Sequence, residues 1–177
     1  GFGLGESLLF MASHAEDTLF LGVEIHRAGL AQCLSKVVGM SLDNVKLIKA
    51  DVTLLLANYL PRACLDEIHV YFPDPWPNSY RDGERRVIRS RTVSLFQQVL
   101  KPGGRVRIAT DVAEYASHVS TVFAAASDIF NIIDQDEHAP CAPSRLRVRG
   151  ITSYERRAAQ KGPEERVFEF LYELRKV

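Results

Sequence analysis

Four short apolar runs, three of them closing on an acid, alternate with stretches of helical spacing along this chain. The runs are Leu19–Glu24, Val45–Asp51, Asp66–Phe72 and Arg105–Asp111, and helical spacing covers 6–14, 27–38, 52–59, 90–100 and 113–126. Strands alternating with helices predict a parallel sheet built from βαβ units. The tail differs. Ile129–Glu137 and Glu164–Lys176 read as strands, and between them 138–163 reads as a long connection with one short helix at 154–161. The expectation is a doubly wound, mostly parallel α/β sheet with an antiparallel C-terminal strand. At 177 residues the chain suits one domain.

Gly1-Phe-Gly-Leu-Gly5 opens the chain as a glycine-rich turn into a helix. Gly1, Gly3 and Gly5 allow a tight turn and a close approach by a ligand, and the helix N-terminus beyond offers free N–H groups. In a doubly wound sheet the strand before such a turn is central. The sequence is therefore expected to start inside its natural domain, with a gap in the sheet where that strand belongs. Glu24 ends the next strand, where an acid accepts hydrogen bonds from ribose hydroxyls, and Asp51 ends the one after it. For each acid alone, a helix N-cap is the plainer alternative. A nicotinamide dinucleotide and S-adenosylmethionine both carry the adenosine such an edge holds. The run GxGxG followed by Glu6 favours the second.

Phe72-Pro73-Asp74-Pro75-Trp76-Pro77 follows the third strand. Its three prolines continue neither a ladder nor a helix, so Asp74 is held in a stiff loop over the ligand edge. Trp76 offers a face for stacking a base.

Charge bounds the partner. Lys+Arg and Asp+Glu are 22 each, which excludes a globally basic binder but not a basic patch. Segment 76–91 holds five arginines against two acids, and 144–161 holds six cations against one acid. Both flank the ligand edge and suit RNA phosphates. No membrane is expected, because no run of 18 apolar residues occurs. Cys33, Cys64 and Cys141 form no CxxC pair and no zinc signature, so no metal is expected and a cytoplasmic setting is.

Gly1-Phe-Gly-Leu-Gly-Glu-Ser-Leu8, Gly22-Val-Glu-Ile-His26, Phe72-Pro-Asp-Pro-Trp76, Leu100-Lys-Pro-Gly-Gly104, Ala109-Thr-Asp111 and Thr152-Ser-Tyr-Glu-Arg-Arg157 occur in that order. Together they resemble the bacterial single-chain tRNA (guanine-N7-)-methyltransferase family over essentially the whole chain. The resemblance implies a class I, Rossmann-like S-adenosylmethionine-dependent fold and one methyltransferase domain over 1–177. It implies S-adenosylmethionine as donor and the guanine of the tRNA variable loop as acceptor, in a monomer or homodimer. The implied donor-binding residues are Gly1, Gly3, Gly5, Glu24, Ile25, Asp51, Val52 and Asp74, with Asp74 also catalytic. The implied substrate-binding residues are Asp111, Thr152, Tyr154 and Glu155; Asn78 is expected at the substrate too, with Arg81, Arg85 and Arg86 after it supplying positive charge. Two positions depart from the family's pattern. Asn78 stands where a substrate-binding lysine is usual, and Val112 stands where an aromatic commonly follows Thr-Asp. The rival readings are a donor-binding RNA-binding subunit without turnover and a small-molecule methyltransferase. A nicotinamide oxidoreductase is more distant.

Overall fold

The computed structural model describes residues 1–77 and 85–176. Its elements run α1 (Glu6–His14), β1 (Phe20–Glu24), α2 (Arg27–Gly39), β2 (Val45–Lys49), α3 (Val52–Asn58), β3 (Leu65–Tyr71), α4 (Ser90–Val99), β4 (Leu100–Thr110), α5 (Ala113–Ala124), β5 (Phe130–His138), α6 (Ser153–Lys161) and β6 (Val167–Leu174). Every expected strand and helix is present, with ends moved by a few residues. The largest shift is in β4, which begins at Leu100 instead of Arg105. Its first residues pair across an irregularity, because the register jumps from Leu65↔Leu100 to Glu67↔Arg105. Gly103, at φ +78, takes the left-handed turn this needs.

The strands form two hydrogen-bonded pieces. β1 pairs parallel with β2, and a four-stranded sheet follows the order β3-β4-β6-β5. β3 and β4 are parallel, while β6 runs antiparallel to both β4 and β5. Among the described residues no ladder joins β1 to β3. Gly1 N and Phe2 N both donate to Val23 O, at 2.6 and 3.3 Å, on the edge of β1 away from β2.

Each piece has its own apolar core. On α5, Tyr115, Val119 and Phe123 recur every four residues and are buried, so one helix face meets the sheet. Val106 and Ile108 of β4 oppose Tyr172 and Phe170 of β6, and Phe123 stacks on Tyr172 with ring centres 3.8 Å apart. The smaller core joins Leu8, Leu9 and Ala12 of α1 to Cys33 and Val37 of α2 and Val45 of β2. Cys33 is fully buried as a small apolar group, while Cys64 and Cys141 are partly exposed thiols. Among the described residues no helix is long and apolar enough to cross a membrane, and no cluster of His, Cys, Asp or Glu could hold a metal ion.

Candidate active site

The carboxyl ends of the parallel strands carry the expected donor residues. Gly5 caps α1 in the left-handed region at φ 80, and its N–H closes the turn on Phe2 O at 2.9 Å. A Cβ on Gly5 would stand 2.5 Å from Cys33 Sγ, and one on Gly29 of α2 would stand 2.5 Å from Gly3 O. These two close approaches seat the turn on α2. A Cβ on Gly1 or Gly3, by contrast, would meet nothing within 4 Å. The turn therefore presents open space on one side and tight packing on the other.

Glu24 is buried, and its carboxylate is held by backbone donors. Oε1 accepts from Ile25 N (2.7 Å) and His26 N (2.9 Å), and Oε2 accepts from Gly3 N (2.8 Å). Burial pushes this carboxyl up, but the N–H groups of His26 and Gly3, the charge of the Gly1 amino group and the N–H of Ile25 outweigh it and hold it below the usual range. A carboxylate has about four acceptor sites, so one remains for a ligand hydroxyl. Asp51 is exposed and caps α3, as the plainer reading allowed. Its Oδ1 accepts from Thr53 N (2.7 Å) and Leu54 N (3.1 Å), leaving the second oxygen free. Ile25 is exposed and Val52 half-buried beside these acids. The open turn, the spare acceptor on Glu24 and the free oxygen of Asp51 fit an adenosine-bearing donor.

Asp74 is exposed on the loop leaving β3. The loop starts at Phe72, a non-glycine residue in the left-handed region at φ 50. Such a conformation costs on the order of 1–3 kcal/mol and persists only where its surroundings hold it. Here Phe72 N donates to Ala109 O at 2.8 Å, and the Phe72 ring stacks on Tyr154 with centres 5.4 Å apart and planes within 3°. At the far end of the loop, Arg86 Nε donates to Trp76 O and Arg86 Nη2 pairs with Glu114 at 2.7 Å.

Several expected substrate contacts have other roles. Arg86, expected to meet RNA, is buried and anchors the proline loop. Thr152 and Glu155, expected at the acceptor, are buried too and form the capping box of α6. Glu155 Oε2 accepts from Thr152 N (2.9 Å) and Thr152 Oγ1 (3.0 Å), while Oε1 accepts from Arg147 (2.8 Å) and Arg149 (3.2 Å). Four protein donors fill this carboxylate, so it has no site left for a base edge. The basic segment 144–161 is likewise largely paired. Arg145 binds Asp134 and Asp136, Arg147 and Arg149 bind Glu155, and Arg156 binds Glu6. Arg157 lies over the Tyr154 ring, 4.6 Å from its centre.

Other residues remain accessible. Tyr154 is exposed and Asp111 half-buried at the end of β4. Arg85 lies over the Trp76 ring, 3.3 Å from its centre, so the indole meets a guanidinium where a base was expected. Asn78 and Arg81 lie outside the described residues. Sequence reasoning missed Phe72 as a base for Tyr154 and Gly29 as the seat of the turn. A glycine inside a helical pattern was the available signal for Gly29.

A family model described as "Putative methyltransferase" matches residues 1–167. Curated relatives named "tRNA (guanine-N(7)-)-methyltransferase" include one from Alkalilimnicola ehrlichii, 36% identical over 99% of this chain and 70% of its own length. Another, from Halorhodospira halophila, is 35% identical over 99% of this chain and 73% of its own. One from Yersinia pestis is 35% identical over 92% of this chain, and the match spans 66% of that relative's length, just under two thirds. Among solved structures, the 16S rRNA methyltransferase KamB aligns over 99% of this chain and 85% of its own, with TM-score 0.72 and 16% identity. A SAM-dependent methyltransferase from Aquifex aeolicus aligns over 98% of this chain and 78% of its own, with TM-score 0.63 and 15% identity. These structures establish the class I methyltransferase fold. The open glycine turn, the acids at the strand ends and the stiffened Phe-Pro-Asp-Pro-Trp loop share one edge of that fold, and the chain belongs to the tRNA (guanine-N(7)-)-methyltransferase family.

Proposed function

We propose that this protein transfers a methyl group from S-adenosylmethionine to N7 of guanine in the variable loop of tRNA. The observation that carries the reading is Asp74, exposed on a loop pinned at both ends that leaves the carboxyl end of β3, as Glu24 closes the carboxyl end of β1 beside the glycine turn. S-adenosylmethionine supplies an electrophilic sulfonium methyl. Gly1 and Gly3 give it backbone room while Gly5 closes the turn beneath it, Glu24 and Asp51 accept from its adenosine, and Ile25 and Val52 flank it. Guanine N7 carries an in-plane lone pair and no proton at neutral pH, so the protein need not remove one before attack. Its main task is alignment, which for bound reactants lowers a barrier by about 7–11 kcal/mol. Asp74 stabilises the positive charge that spreads over the purine as the methyl arrives. Asp111 and Tyr154 are the accessible acceptor residues, with Arg85 and Arg81 for phosphates and Asn78 in the usual lysine position. Residues 1–177 belong to one methyltransferase domain, which acts as a monomer or homodimer in the cytoplasm.

The test is methyl transfer from labelled S-adenosylmethionine to unmodified tRNA, followed by nucleoside analysis. N7-methylguanosine in the variable loop, lost in Asp74→Ala with an unchanged thermal midpoint, is the expected result. Near wild-type turnover in Asp74→Ala refutes the role of that residue. Donor binding without transfer to any tRNA refutes the activity.

A further inference from the structure

The first turns of α1 and α6 meet although they are 147 residues apart in the chain. Glu6 Oε2 accepts the backbone N–H of Ser153 at 2.7 Å, and Glu6 Oε1 accepts from Arg156 Nη2. Gly150 approaches the same helix so closely that an added Cβ would stand 2.8 Å from the Phe10 ring. Glu6 follows directly on Gly5, so the residue that closes the glycine turn leads into the one that holds α6. On its other flank the same segment is fastened to the four-stranded sheet. Arg149 binds Glu155 and Glu169, and its guanidinium lies over the rings of Tyr71 and Phe72 at 4.9 and 5.2 Å. Residues 149–156 thus reach from the helix behind the glycine turn to the strand end that carries Asp74. No strand ladder makes that connection among the described residues.

We propose that Glu6 is a positioning residue that couples donor binding to acceptor binding, which rests on the methyl-transfer reading above. A donor on the Gly1–Gly5 turn orders the start of α1 and with it the Glu6 carboxylate. The ordered carboxylate fixes Ser153 N–H and Arg156, and so fixes α6, which holds Tyr154 against Phe72 beside the Asp74 loop. Each ligand orders the same contact, so the second to bind has less left to order. The coupling is reciprocal by thermodynamic necessity: tRNA must tighten donor binding by the factor by which donor tightens tRNA binding.

The experiment measures the Kd of S-adenosylhomocysteine with and without saturating tRNA, in the full chain and in Glu6→Ala, Arg156→Ala and Gly150→Ala. Wild type is expected to show a Kd ratio of about fivefold or more. Glu6→Ala and Gly150→Ala are expected to bring the ratio towards one, each with donor still bound in isolation. Arg156→Ala removes an exposed ion pair with Glu6 and an exposed hydrogen bond to Ile151 O, so it folds even where the other two do not. Weaker tRNA binding in Arg156→Ala with the ratio intact makes Arg156 a phosphate contact only and overturns the coupling. A wild-type ratio of one, or an unchanged ratio in folded Glu6→Ala, also overturns it. Wild-type protein that transfers no methyl to tRNA overturns the function itself, a result separate from these.

Discussion

Arg149→Met probes the polar cluster that fastens the 144–156 segment to the sheet. Arg149 is 3% exposed and divides its guanidinium between Glu155, at 0% exposure, and Glu169, at 3%. Methionine fills similar space but donates no hydrogen bond. Glu155 keeps Arg147 and its capping contacts, so Glu169 bears most of the loss. Glu169 then retains the Ser144 hydroxyl and His138, whose Nε2 lies 3.8 Å away. Breaking a buried ion pair by removing one partner costs about 3–5 kcal/mol, because the remaining charge is left uncompensated. For a domain of 150–250 residues each kcal/mol lowers Tm by about 2–4 °C, so the midpoint should fall by roughly 6–20 °C. Thermal unfolding followed by circular dichroism measures this, and a urea titration with an unchanged m-value confirms that the native state is still compact. The double variant Arg149→Met/Glu169→Gln should recover part of the loss, because the orphaned charge is gone. A Tm within about 2 °C of wild type in Arg149→Met refutes the argument that this buried charge needs its partner.

Other perturbations test the donor edge and the sheet. Gly29→Ala puts a Cβ 2.5 Å from Gly3 O, a backbone atom that a side-chain rotation cannot move aside. The glycine turn must shift, and S-adenosylhomocysteine should bind about tenfold more weakly, worth about 1.4 kcal/mol; a Kd within about twofold of wild type contradicts the seating of the turn on α2. Glu67 supplies a pH signature. Burial pushes its carboxyl up, but hydrogen bonds from His69 and Arg107 and the charge of Arg107 outweigh this and bring it down to about 2. The unfolded chain therefore binds more protons than the native one between the ordinary Glu range and about pH 2. The contribution of Glu67 is fully present above that range and is lost as pH falls through the window. Urea midpoints measured across it should fall less steeply in Glu67→Gln than in wild type; parallel curves contradict the assignment.

Much of this architecture is legible in residue order alone. Period and spacing locate β1 to β6 and α1 to α6, because alternation and helical repeats are local consequences of which face is buried. Glycines at alternate positions and acids closing strands mark the donor edge for the same reason: backbone freedom and charge belong to the residue itself. Prolines 73, 75 and 77 likewise announce a stiff loop around Asp74. The use of a charged side chain is not local. Glu155 reads as a binding acid until Thr152, Arg147 and Arg149 fill both its oxygens. Arg86 reads as a phosphate contact until it proves buried between Trp76 O and Glu114. The six cations of 144–161 read as a basic face until acids from β5, β6, α6 and α1 pair four of them. The same holds for the stack of Tyr154 on Phe72 and for the contact between Glu6 and Ser153. Sequence alone determined which elements form and where the candidate ligand-binding residues fall along them, because propensity and periodicity act over a few residues. Only the tertiary structure decided which charges are spent inside the protein and which remain for a substrate, because pairing depends on partners that folding brings together from distant parts of the chain.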